Sequence, residues 1–75
     1  MNTIFTVHGT TEDLVRICFK HLPFTIEPMG TRWQQCGMDF MVTVEPMLSV
    51  KACKAIEAHL REWGAKRVTA YWEAA

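Results

Sequence analysis

The hydrophobic and polar residues of this chain follow two spacings, and these predict six secondary-structure elements. Apolar residues at every second position are typical of strands, and apolar residues three or four positions apart are typical of helices. The alternating segments are residues 3–9, 24–28, 38–45 and 67–73. Helical spacing follows the first strand up to Pro23 and covers residues 50–63. The predicted order is therefore β-α-β-β-α-β.

Residue types at the ends of the two helical segments support these boundaries. Thr10 and Asp13 approximate a capping box at the start of the first helix, and Pro23 stops that helix. Ser49 is expected to cap the second helix. Gly64 lies where a left-handed C-terminal cap belongs. Both helices are thus delimited by local sequence alone.

This order of elements predicts an α+β, ferredoxin-like split unit. Its four-stranded antiparallel sheet has the order 4-1-3-2, with both helices on one face. Pro28 lacks a backbone donor, so the second strand should lie at an edge. The fourth strand is the other expected edge, where Lys66 and Arg67 would discourage pairing with another chain. Residues 1–75 form one small domain.

The alternation also predicts which side chains lie on each face of the sheet. The helix-facing side chains are expected to be Phe5, Val7, Phe24, Ile26, Phe40, Val42, Val68, Ala70 and Trp72. The opposite face, called the open face below, should carry Ile4, Thr6, His8, Thr25, Glu27, Asp39, Met41, Thr43, Thr69 and Tyr71. Apolar helix stripes should meet the first set, and they comprise Leu14, Val15, Ile17, Cys18 and Phe19 in one helix and Cys53, Ile56, Leu60 and Trp63 in the other.

Two interpretations of the open face remain. An antiparallel sheet can leave such a mixed face in water. Alternatively, the face has a small apolar contact site for a partner, formed by Ile4, Met41 and Tyr71. Nucleic acid is not the expected partner, because eight basic and eight acidic residues give zero net charge. An RNA-recognition module would also need aromatic residues on its central strands.

The three cysteines do not form a disulfide framework, since their number is odd and no secretory signal precedes them. No apolar stretch approaches 18 residues, so we expect a cytoplasmic protein without a membrane segment. Cys18 and His21, with Cys36 or His8, would be the zinc alternative, but one short pair is too few. We expect no metal and no cofactor. We also expect no enzymatic activity, because the only serine is explained as a helix cap.

One stretch, "HGTTEDLVRICFKHLPFTIEP" (residues 8–28), is similar to the turn, first helix and second strand of amino-acid-binding ACT domains. The similarity covers under half the chain and mostly reflects the shared architecture. It implies an alternative function, a regulatory domain that binds a small ligand at the turn after the first strand or at a dimer interface.

The function favoured by the sequence is a non-enzymatic protein-interaction module. Arg32 and Trp33 lie side by side in a polar hairpin and are residue types enriched at interface hot spots. With Ile4, Met41 and Tyr71 they are the predicted partner-binding residues, although Trp33 could instead cover the core. A small regulator is expected, for which phage-encoded inhibitors of host defence or CRISPR complexes are one known class. A homodimer would compensate for the small core.

Overall fold

The computed structural model describes residues 2–29, 38–45 and 47–73. Its elements in chain order are β1 (Asn2–Thr10), α1 (Glu12–Phe19), β2 (Phe24–Pro28), β3 (Met38–Val44), α2 (Val50–Glu62) and β4 (Arg67–Glu73). The predicted α+β class, with four antiparallel strands and two helices, is confirmed. The strand boundaries agree with the alternating segments to within one residue.

The four strands form one sheet in the order β2-β3-β1-β4, and all neighbours are antiparallel. Read from the opposite edge, this order is 4-1-3-2, and the arrangement is compatible with a ferredoxin-like split fold. β2 and β4 are the two edges. The position that Pro28 predicted for β2 is therefore confirmed.

The core lies between one face of the sheet and the two helices. Its buried side chains come from alternate strand positions and from one side of each helix, and they include Phe5, Val7, Val15, Phe19, Phe40, Val42, Val44, Cys53, Leu60 and Val68. The ring of Phe19 joins the layers, because its centroid is 5.0 Å from that of Phe5 and 5.9 Å from that of Phe24. Both helices thus cover the same face, and the open face lies opposite.

The start of α1 differs from the prediction. Thr11, rather than Thr10, caps the helix, because its hydroxyl accepts a hydrogen bond from the Leu14 N–H at 3.4 Å. Thr10 remains in β1, where it pairs with Met38. The strand continues that far because an irregularity in its pairing after Val7 carries it past Gly9.

The predicted caps of α2 are both confirmed. The Ser49 hydroxyl accepts a hydrogen bond from the Ala52 N–H at 3.1 Å. Gly64 has a φ of +105°, in the left-handed region that favours glycine. The Ala65 N–H then donates to the Leu60 carbonyl at 3.0 Å, which closes the helix end.

Three side chains expected in the core are instead exposed. Ile17 is 46% exposed because α1 packs through Val15 and Phe19, and a residue midway between two such positions points to the other side of a helix. Trp63 is 44% exposed because it is the C-cap residue, beyond the last turn of α2. Trp72 is 41% exposed because it lies near the end of an edge strand.

Candidate functional site

The register of the strands arranges the open face in rows that cross the sheet. One row comprises Tyr71, Ile4, Thr43 and Thr25. The next row comprises Thr69, Thr6, Met41 and Glu27. The predicted side assignment is confirmed by this register, which puts two of the predicted binding residues in one row and the third in the next.

The three described members of the predicted binding set differ in accessibility. Tyr71 is 45% exposed and Met41 is half-buried, whereas Ile4 is only 4% exposed although it lies on the open face. Ile4 pairs directly with Tyr71, so the aromatic ring and the buried side chain are cross-strand neighbours. Tyr71 therefore supplies most of the area that this group offers to a partner. Arg32 and Trp33 lie outside the described residues, and their binding role stays a prediction.

The threonines on the open face satisfy part of their own hydrogen bonding. The hydroxyls of Thr6 and Thr69, on neighbouring strands, are hydrogen-bonded to each other. A face lined by paired hydroxyls has less need of a covering partner than an apolar one. Because Ile4 at the centre of this face is only 4% exposed, the accessible apolar part of the face lies towards Tyr71.

A charged corner occupies the far end of the open face, where β1 contains a bulge. The register shifts between the pairs Val7–Phe40 and Thr10–Met38, so His8 and Gly9 both lie opposite Asp39. Gly9 has a φ of +72°, which glycine adopts without strain. This bulge had no signal in the alternating pattern, although Gly9 at the strand end is the residue that permits it.

Asp39 holds this bulge in place. Its Oδ1 accepts a hydrogen bond from the Gly9 N–H at 3.3 Å, and its Oδ2 lies 3.1 Å from Nδ1 of His8. The bulge near the end of β1 could have offered the Gly9 N–H to an anionic ligand, but the carboxylate of Asp39 already binds that N–H. Arg67 of β4 is the cross-strand neighbour of His8 in β1. The corner therefore continues onto β4 as a row of ionisable side chains. The arrangement suits a structural role because both partners of Asp39 are within the bulge.

The zinc alternative gains no support from the described residues. Within residues 2–29, 38–45 and 47–73, no three histidine, cysteine or acidic side chains come together to hold a metal. Cys18 packs against the core, whereas His8 lies on the open face, so the sheet separates them. Cys36 lies outside the described residues.

The two described cysteines are free thiols with suppressed acidity. Burial raises the pKa of the Cys18 thiol. Burial, and secondarily the Glu57 carboxylate, raise the pKa of the Cys53 thiol. A raised pKa lowers the thiolate fraction and hence the reactivity of both side chains near neutral pH.

The edge formed by β4 carries an apolar surface that sequence reasoning missed. A groove of about 160 Å³ lies between α2 and this strand, and we call it the α2–β4 groove. It is lined by Val50, Cys53, Lys54, Glu57, Ala70, Tyr71 and Trp72. Val50, Tyr71 and Trp72 are all exposed. The sequence did not reveal this surface because the alternating pattern assigned Trp72 to the core.

Trp72 is held at this edge by a relay of hydrogen bonds. Its indole Nε1–H donates to the Leu48 carbonyl at 2.8 Å. The Leu48 N–H in turn donates to the hydroxyl of Thr3 in β1, also at 2.8 Å. The exposed ring therefore has a defined position, and an ordered aromatic side chain loses less entropy on binding than a free one.

The outward backbone groups of β4 follow from the pairing of the other strands. The Glu45 N–H donates to the Pro23 carbonyl at 3.3 Å, and the Met29 N–H donates to the Asp39 carbonyl at 2.9 Å. Hydrogen-bonded pairs alternate along antiparallel strands. Continuing this alternation through β3 and β1 directs the N–H and C=O groups of Val68, Ala70 and Trp72 away from the sheet. Among the described residues no strand pairs with that side.

A second hollow lies at the β2 side of the open face and measures about 260 Å³. It is lined by Asn2, Pro23, Phe24, Thr25, Thr43 and Glu45. Sites for drug-sized ligands usually span about 300–1,000 Å³. Both hollows fall below that range, so neither would enclose a drug-sized ligand.

Comparison with protein-family models, with curated proteins and with solved structures finds no match for this chain. Neither helix of the described structure is long and apolar enough to cross a membrane.

Proposed function

We propose that this chain is a non-enzymatic protein-interaction module that acts as a small regulator or inhibitor of a protein partner. The observation that carries the proposal is the exposed apolar group of Val50, Tyr71 and Trp72 around the α2–β4 groove. Aromatic residues are enriched where interfaces gain most of their energy. In a chain this small, three ordered apolar side chains at one edge are a substantial surface to leave in water.

The proposed surface extends from this edge onto the open face. Tyr71 belongs to both regions, since it lines the α2–β4 groove and neighbours Ile4. Met41 lies one row further along. We propose Arg32 and Trp33 as a second anchor for the same partner. An inhibitor of a host defence complex is one class of regulator that we propose for a domain of this size.

Affinity capture with matched variants tests this function. The immobilised protein is exposed to an extract of its source cells, and bound proteins are quantified by mass spectrometry. Tyr71→Ala should reduce the yield of a specific partner by at least about tenfold, as expected for a hot-spot aromatic. Thr25→Ala, an exposed change in β2, should leave it unchanged. If no captured protein depends on Tyr71, the proposed surface is wrong.

A parallel test addresses the proposed anchor of Arg32 and Trp33. Trp33→Ala should weaken capture of the same partner while the unfolding temperature stays within a few degrees of the wild type. Loss of the cooperative unfolding transition would instead assign Trp33 to the core and remove it from the proposed surface.

The ACT-like alternative makes a different prediction. A ligand at 100 times its dissociation constant stabilises the folded state by about 2.7 kcal/mol. Thermal-shift screening against amino acids and nucleotides would reveal such a ligand as a rise in unfolding temperature. We expect no shift, because the Asp39 carboxylate already binds the Gly9 N–H that an anionic ligand would need. A clear shift with one metabolite would favour ligand binding over protein interaction.

A further inference from the structure

The residues of β4 are arranged so that the strand is complementary to a second copy of itself. When two copies of β4 pair antiparallel with Ala70 at the centre, the numbers of any two facing residues add up to 140. Arg67 of one copy then faces Glu73 of the other, and this happens twice in the dimer. Thr69 faces Tyr71, which is one of the cross-strand combinations that stabilise sheets.

The backbone supports the same register. The outward N–H and C=O groups belong to Val68, Ala70 and Trp72. Pairing around Ala70 matches Val68 with Trp72 and Ala70 with itself, so outward groups meet only outward groups. Arg67 and Glu73 then occupy non-hydrogen-bonded pairs, where opposing side chains approach most closely. Hydrogen-bonding alternation therefore permits this register, and the charge match distinguishes it from the other permitted ones.

Other symmetric registers lose the charge match. Pairing around Tyr71 would place Glu73 against Thr69, and pairing around Thr69 would place Arg67 against Tyr71. Neither arrangement brings the two charged ends together. Arg67 and Glu73 are both exposed, so each can reach a neighbouring chain. The arginine at the start of the strand thus favours this register over the other two.

From these observations we infer that β4 pairs antiparallel with β4 of a second copy, with Ala70 at the two-fold axis, to give a continuous eight-stranded sheet. This inference goes beyond the proposed function, because it names a second copy of this chain as what the β4 edge binds. The pairing covers the outward backbone of both strands and places a second chain beside the α2–β4 groove. Such a small interface belongs to the weak, reversible class.

Sedimentation velocity under reducing conditions, from micromolar to millimolar concentration, tests the pairing. The wild type should show a concentration-dependent monomer–dimer equilibrium. Glu73→Arg and Arg67→Glu should each weaken dimerisation by about tenfold or more, because two ion pairs become like-charge contacts. The double variant should return the dissociation constant to within about threefold of the wild type. Glu62→Arg, with the same charge change on α2, is the matched control and should have no effect.

Amide hydrogen exchange by NMR locates the interface independently. Amides of Val68, Ala70 and Trp72 should become protected as concentration rises, whereas Thr69 and Tyr71 should be protected at all concentrations. A wild type that is monomeric throughout overturns the inference, and so does a dimer that neither single reversal weakens. Failure here with Tyr71-dependent capture intact would leave the proposed function standing. A β4 dimer without any such capture would support the pairing and overturn the proposed regulation of another protein.

Discussion

The two edges of the sheet are built in opposite ways. β2 has five residues, and its outward position at Pro28 has no N–H to offer. β4 has seven residues, and its three outward positions are Val68, Ala70 and Trp72, each with an N–H. One edge therefore resists strand addition and the other permits it. The difference shows that a single proline at an outward position can distinguish a protected edge from an open one.

The largest effect should come from introducing a proline into β4, and its size should depend on the position chosen. Thr69→Pro removes an N–H that bonds to β1, leaves a carbonyl unsatisfied and should reduce the free energy of unfolding by about 3 kcal/mol. Ala70→Pro removes an outward N–H and should cost about 1 kcal/mol or less, while abolishing any pairing at this edge. Urea denaturation measures both. Equal losses would show that the assigned alternation is wrong.

The aromatic residue at each edge should contribute differently to stability. Phe24→Ala removes a half-buried ring that contacts Phe19, and it should cost about 2 kcal/mol. Trp72→Phe keeps much of the ring but leaves the Leu48 carbonyl without its donor, and it should cost about 1 kcal/mol. Chemical unfolding at pH 7 measures both losses. A larger loss for Trp72→Phe would mean that the relay to Leu48 and Thr3, rather than ring burial, dominates.

Restoring the missing donor of β2 should change association more than stability. Pro28→Ala should alter the free energy of unfolding by no more than about 0.5 kcal/mol, since the new N–H faces outward. It should also create a second edge that can accept a strand. Light scattering at high protein concentration should therefore show larger species than the wild type forms. Unchanged scattering would indicate that the proline is not what protects this edge.

The smallest effect concerns pH and the groove beside β4. Because the pKa of the Cys53 thiol is raised in the folded state, the unfolded chain loses that proton first as the pH rises. The stabilisation is therefore complete below the unfolded thiol pKa of about 8.5 and is lost above it. Glu57→Gln removes one cause of the raised pKa and should reduce the loss of stability between pH 7 and about pH 9.5. An unchanged pH dependence would remove Glu57 as a contributor.

Much of the fold could be predicted from the sequence because the spacing of apolar residues agreed with the residue types at the ends of the elements. Alternation assigned the two faces of the sheet, Ser49 and Gly64 delimited α2, and Pro28 placed β2 at an edge. These signals are local, so a single sequence can reveal them. They depend on residue type and spacing within a few positions, which is the range over which propensity acts.

The candidate surface was less predictable because it depends on where elements end. Periodicity places Trp72 on the helix-facing side, and β4 was expected at an edge, but neither signal reveals that the end of this strand leaves Trp72 41% exposed. Ile4 was assigned to the correct face, yet the alternation that assigned it did not predict that only 4% of it would be exposed. The pairing of His8 and Asp39 required a register shift that no local pattern encodes. Accessibility is a property of the assembled sheet.

The bulge at His8 and Gly9 has a consequence for insertions and deletions. It supplies the one extra residue that sets which side of the strand Thr10 faces and where Thr11 meets α1. Deleting Gly9 would therefore invert the orientation of every position between the bulge and the helix, including the capping hydroxyl. Homologous chains should therefore differ in length at other places, because inserting or deleting one residue here would turn the following side chains to the opposite face of the sheet.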